Sequence, residues 1–240
     1  DSQRRKVMAA AASDLRFAMP VLIERFEREN PSIDVEVTFG SSGNFVAQIA
    51  NGAPFDLFFS ADTEYPRQLI DRKLADAGTL ARYAMGELVI WVGKDSPIDV
   101  EKLGADSLLE PRVHKIAIAN PRHAPYGRAA ESTLAHFQWE DKLRDKIVLA
   151  ENVAQAAQLV QSGAADVGMI ARSLATAPTM ACAGRFFTIP ADAYPPIEQA
   201  CVILTSVKDR AAAERFQSLV VGPAGREILQ SLGFQLPTVQ

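Results

Sequence analysis

The chain is poor in the features that most often announce a function. It has no apolar run of the roughly 18–20 residues that a membrane-spanning helix needs, and no signal-peptide architecture of charged, apolar and cleavage regions. It has no GxSxG elbow, no phosphate-binding P-loop and no HExxH pair. Its three histidines, His114, His123 and His136, lack metal-ligand spacing, although His123 lies close enough to Tyr126 to line a cleft. The carboxylates are scattered, and Ser60-Ala61-Asp62 reads as a strand end with a helix cap rather than a dyad. There are only two cysteines, Cys182 and Cys201, far from CxxC spacing; one disulfide and two unpaired, buried thiols are both open readings. A net charge of −4 lacks the basic surface that nucleic-acid binding requires, and it gives no global attraction for an anion. These absences turn the reading away from enzymes, nucleic-acid binders and integral membrane proteins.

What is present is a soluble α/β pattern of 240 residues, enough for one large or two modest domains. Strand-like runs at 6–12, 33–39, 57–60, 88–92, 115–119, 147–150, 167–170 and 201–205 alternate with helical patterns, which predicts mostly parallel sheets. The first helix is read from Val21, Leu22, Ile23 and Phe26, with its end at Glu29-Asn30-Pro31. Pro20 conflicts with a continuous helix there, because an interior proline costs about 3 kcal/mol. Either the helix kinks, or its regular part begins near Pro20 after a distorted first turn. Later helices are expected over 129–137, from Val153 to a stop at Gly163, over 211–220 and over 223–231. No repeat or linker is present, and two similar α/β lobes suit this length better than one wide sheet.

Four segments share a design in which a strand end passes through small or capping residues into a helix. They are Ala12-Ser13-Asp14, Gly40-Ser41-Ser42-Gly43, Ala124-Pro125-Tyr126-Gly127 and Glu151-Asn152-Val153. The first N–H groups of a helix lack intrahelical partners and sit at the positive end of its dipole. Four of them converging would form an anion site without a cation. Serine hydroxyls add donors, and Gly40 and Gly43 would let a ligand approach the backbone. Taken singly, Ser13 and Asn152 read as ordinary N-caps, and the Ser41-Ser42 and Pro125-Tyr126-Gly127 segments as plain turns.

At these same stretches the chain resembles the periplasmic molybdate-binding proteins, the substrate-binding components of ABC transporters. The matching residues are AAASDL (10–15), TFGSSGNF (38–45), QIANGAPFDLFFSAD (48–62), IANPRHAPYG (118–127), ENVAQA (151–156) and SGAADVGMIA (162–171), with GPAGREIL (222–229) and LGFQLP (232–237) near the end. The resemblance implies an α/β, two-lobed binding-protein fold of type II with the ligand cleft between lobes. The chain would cross twice, giving residues 1–84 with 203–240 as one lobe and 85–202 as the other. It implies no catalytic residue and no cofactor, with molybdate or tungstate as ligand and no metal beyond that oxyanion. Ser13 and Ser42 would donate from hydroxyl and backbone, and Tyr126 and Val153 from backbone N–H; Asp14, Ser41 and Ala171 are further candidate positions. It also implies a monomer that serves a membrane permease in the periplasm. Asp1–Lys6 would then be the trimmed start of an exported protein.

Two departures stand out. Ala171 occupies a position where some family members place a tyrosine that reaches the oxyanion. Asp14 stands where another branch has asparagine, and a carboxylate facing a dianion would be repelled. The expectation is that Asp14 turns its side chain away; the alternative is that it helps to bind a different ligand. The competing functions are capture of another oxyanion or a small carboxylate, and a ligand-sensing effector domain.

Overall fold

The computed structural model describes residues 5–237, so Asp1–Arg4 of the expected mature start lie outside the described residues. In chain order the strands are β1 (Arg5–Ala12), β2 (Ile33–Gly40), β3 (Leu57–Ser60), β4 (Ala81–Gly86), β5 (Leu88–Gly93), β6 (Ile116–Ala119), β7 (Ile147–Ala150), β8 (Val167–Ala171), β9 (Gly184–Thr188) and β10 (Ile197–Ile203). They form two five-stranded sheets, ordered β2-β1-β3-β10-β4 and β7-β6-β8-β5-β9. The chain divides into two compact units: unit 1 runs to Met85 and resumes at Glu198, and unit 2 is Gly86–Ile197. The expected boundary between 202 and 203 falls inside β10, whose pairing with β3 makes it part of the unit 1 sheet.

The sheets are mixed, a correction to the expectation of mostly parallel pairing. β1 runs parallel to β2 and β3, and β6 runs parallel to β7 and β8. β10 is antiparallel to β3, and β5 is antiparallel to both β8 and β9. The apolar run Leu88–Val92 suits either direction, since a strand with a neighbour on each side and both faces covered needs no alternation. Strands β4 and β9 carry Arg82 and Arg185 and were not marked by any apolar run.

In unit 1 the period of two sorts side chains onto two cores. Val7, Ala9, Ala11, Leu57, Phe59, Cys201 and Ile203 face one, where Phe26, Phe59, Tyr83 and Phe216 pack edge to face. Ala10, Phe58 and Val202 face the other, with Phe45, Phe55 and Leu69. The alanines of β1 are fully buried, and their small side chains let helices approach on both faces.

The helix Ala18–Glu29 resolves the Pro20 conflict. Pro20 is its third residue, inside the first turn, where the missing N–H has no intrahelical role. The buried face is Ala18, Met19, Leu22 and Phe26, with Ile23 partly buried against the same core; of the expected face only Val21 is exposed. Both cysteines are free thiols; Cys201 is buried, while Cys182 is exposed rather than buried.

Candidate functional site

The unit 1 segments meet through strand register. β1 and β2 pair from Arg5↔Ile33 to Ala12↔Gly40, so their carboxyl ends stop side by side. β3 is aligned with them, with Ala11 opposite Phe59. Ser13, Ser41-Ser42 and Ala61 therefore leave one edge of the sheet together, the edge where open α/β sheets bind ligands.

Past Ala12 the chain makes a 3₁₀ turn, Ser13–Leu15, closed by Arg16 N donating to Ser13 O at 3.2 Å. The N-cap role read for Ser13 is not found: no side chain caps this turn, and the regular helix begins only at Ala18. Ser41 occupies the cap position of the helix Ser42–Ala50 without a side-chain cap. Ser42, the first helical residue, is fully buried, and its Oγ accepts from Ala61 N at 3.0 Å. With that lone pair used, the Ser42 hydroxyl proton is directed elsewhere as a donor. A Cβ at Gly40 would meet the Phe45 ring at 3.1 Å, so packing alone already favours glycine there.

Asp14 is 1% exposed, and its Oδ2 accepts from Gln199 Nε2 at 2.6 Å. Gln199 Oε1 accepts in turn from the Tyr83 hydroxyl at 2.8 Å, and that hydroxyl lies 3.1 Å from Ser60 O. Burial, and next the Asp14 charge, push the Tyr83 hydroxyl well above the usual phenol range, so Tyr83 keeps its proton and donates it.

Unit 2 repeats the edge arrangement with different means. Ala119 and Ala150 are paired ends of β6 and β7, and Asn120 N donates to Ala150 O at 2.8 Å. The helix Pro125–His136 starts with proline at its first position and buries Tyr126. Gly127 is obligatory there, because a Cβ would fall 2.2 Å from Ala119 O and 2.7 Å from Pro121 N. The helix Val153–Gln161 is capped by Asn152, whose Oδ1 accepts from Gln155 N at 3.0 Å. Gln155 Oε1 accepts from Glu151 N at 2.5 Å, a reciprocal arrangement close to a capping box. Ala171 ends β8, fully buried, and contributes only a methyl group beyond its backbone.

The backbone N–H groups of Ser42 and Val153 have no acceptor among the described residues, yet both residues are buried. Helix-start donors always lack intrahelical partners, but a buried one ordinarily finds another acceptor. No three His, Cys, Asp or Glu side chains group as metal ligands among the described residues. A surface groove of about 760 Å³ on unit 2, lined by Ile118, Arg122, Arg128 and Leu149 among others, includes neither Tyr126 nor Val153. What sequence reasoning missed is the pair Tyr83 and Gln199, whose positions carry no local motif.

Residues 7–235 match the family described as bacterial extracellular solute-binding protein. The molybdate-binding protein ModA of Azotobacter vinelandii is 34% identical over 236 residues, covering 98% of this chain and 92% of the relative. ModA of Rhodobacter capsulatus is 33% identical, covering 95% and 88%. The solved structure of the Azotobacter vinelandii periplasmic molybdate-binding protein superposes with a TM-score of 0.88 at 35% identity, over 97% of this chain and 100% of that one. The chain belongs to the bacterial extracellular solute-binding proteins, in the family of molybdate-binding proteins.

Proposed function

We propose that this protein captures molybdate, and tungstate with it, and delivers the ion to the membrane permease of an ABC transporter, working as a periplasmic monomer without catalysis. The observation that carries the reading is the set of buried, neutral donors lacking a protein acceptor: the N–H groups of Ser42 and Val153, with the Ser42 hydroxyl. Ser13 and Tyr126, buried at the neighbouring strand ends, complete the proposed donor set, with Ser41 as a flanking position.

A deprotonated tetrahedral dianion offers only acceptors, which matches a site made only of donors and disfavours protonated phosphate. Charge-assisted bonds of this kind are about twice as strong as neutral ones. Sulfate has the same charge and shorter bonds, so fixed donors reject it by reach. Burying the ion works only when every oxygen is satisfied. The contact of Asp14 Oδ2 with Gln199 inside unit 1 supports a site that presents neutral donors rather than this carboxylate. Ala171 leaves this site without the tyrosine contact of some relatives, which places more of the binding on the remaining donors.

Thermal melting of desalted protein against millimolar molybdate, tungstate, sulfate, phosphate and citrate tests the reading. A ligand at about a thousand times its Kd stabilises the native state by about 4 kcal/mol. A large rise with molybdate and tungstate, and none with sulfate, is expected. A flat response to both metal oxyanions overturns the assignment, and a shift with citrate or phosphate alone reassigns the ligand.

A further inference from the structure

A buried carboxylate one residue from a proposed dianion donor needs an explanation. Asp14 follows Ser13 in the same 3₁₀ turn, so a carboxylate left to swing toward the ion would repel it strongly in a site of low dielectric. The structure holds it by a chain of buried groups. Gln199 on β10 donates to Asp14 Oδ2, and Tyr83 on β4 donates to Gln199 Oε1. The order is forced by chemistry: a carboxylate only accepts, so the NH₂ end of Gln199 must face Asp14, which leaves its carbonyl end for the Tyr83 proton. The same Tyr83 hydroxyl approaches the Ser60 carbonyl, and the N–H of that one peptide group, on Ala61, donates to Ser42 Oγ. The proposed ligand positions at Ser13 and Ser42 are thus joined through one continuous buried network, although Gln199 and Asp14 lie 185 residues apart in sequence.

We infer that Gln199 is a positioning residue for oxyanion capture: it pins the Asp14 carboxylate inside unit 1, with Tyr83 fixing which way round its amide sits, so that the ion meets the donors of this turn and not its charge. The inference rests on the proposed function, and it makes a side chain that touches no ligand a determinant of affinity for dianions. Gln199 engages the carboxylate through Oδ2 alone, so losing that one bond is expected to free the side chain to turn.

The test is calorimetric titration of sodium molybdate into desalted wild type, Gln199→Leu, Asp14→Asn/Gln199→Leu, Tyr83→Phe and Asp14→Asn/Tyr83→Phe, with the melting temperature of each apo protein measured in parallel. Gln199→Leu is expected to bind molybdate some tens-fold more weakly than wild type, and Asp14→Asn in that background to recover most of the loss. Should Gln199→Leu fail to fold, Tyr83→Phe carries the test, with a several-fold weakening that Asp14→Asn also relieves. A lowered melting temperature with an unchanged Kd would make the network merely structural and overturn the inference. So would a weakening that Asp14→Asn does not relieve. Wild type that binds no molybdate defeats the functional reading itself, and the role of Gln199 falls with it.

Discussion

The two units share a strand pattern and differ in how the strand ends at one edge are built. In each, an edge strand, a second strand and a third run parallel, followed by an antiparallel neighbour, and the carboxyl ends of the parallel strands meet at one edge. Unit 2 works there with backbone: a proline start at Pro125, a side-chain cap at Asn152, and a glycine where helix and strand touch. Unit 1 works with side chains, placing a buried hydroxyl on Ser42 and a buried carboxylate on Asp14 that Gln199 and Tyr83 hold. Backbone donors tolerate a change of side chain and depend on packing. Side-chain donors depend on the atom itself. One half should therefore fail through geometry and the other through chemistry.

The largest expected effect comes from unit 2 packing. Gly127→Ala drives a Cβ into the Ala119 carbonyl, and overpacking against backbone should cost about 3 kcal/mol of stability, read by urea unfolding. Molybdate affinity should fall with it as the Pro125 helix shifts; unchanged stability would show that the start of this helix is adjustable. In unit 1, Ser42→Ala removes the proposed donor to the ion and the acceptor for Ala61 N, for about 1–3 kcal/mol of binding, and the fold should remain intact. An affinity within twofold of wild type would remove Ser42 from the site. Asn152→Ala should cost about 1 kcal/mol of stability through loss of the cap, with Asn152→Ser restoring most of it. If Asn152→Ala instead abolished binding while leaving stability alone, unit 2 would be using a side chain and the contrast would collapse.

The smallest effect concerns how the discontinuous unit 1 closes. Arg5 at the start of β1 pairs with Asp209, which also caps the helix Arg210–Val221 by accepting from Ala212 N at 3.0 Å. The Arg5 guanidinium, first, and the Ala212 N–H hold the Asp209 carboxyl down at about 2. A depressed carboxylate contributes stability that is complete above its ordinary value near 3.8 and is lost as pH falls toward 2. Asp209→Asn should therefore lower stability by a small, constant amount at neutral pH, flatten the acid-side slope within that window, and make no difference near pH 2. The pair is largely exposed, so the change should be small and weaker still in salt.

Some of the helix ends beside the candidate site were legible because capping signals are local. Asn152 reads as an N-cap and does cap its helix, whereas the helix expected from 129 begins four residues earlier, at Pro125, where a turn reading competed. Ser13 was legible as a strand end but not as a 3₁₀ turn, because Ser-Asp-Leu suits either geometry and only the delayed start at Ala18 decides. The mixed pairing escaped notice because β5 is apolar on both faces, as is β10 from Ala200 to Ile203, and such runs carry no mark of direction. Gln199 and Tyr83 were invisible for a different reason. Their meaning lies in contacts with Asp14 and Ser60 across long stretches of sequence, and neither has a neighbour that forms a motif with it.

Calorimetric titration of molybdate into desalted protein at low and high sodium chloride tests the central claim, that buried neutral donors and not surface charge hold the ion. The account predicts one ion per chain, with an affinity that changes by less than roughly threefold across that range, because buried contacts are screened little. An affinity that collapses with salt, or the same affinity for sulfate, would contradict it.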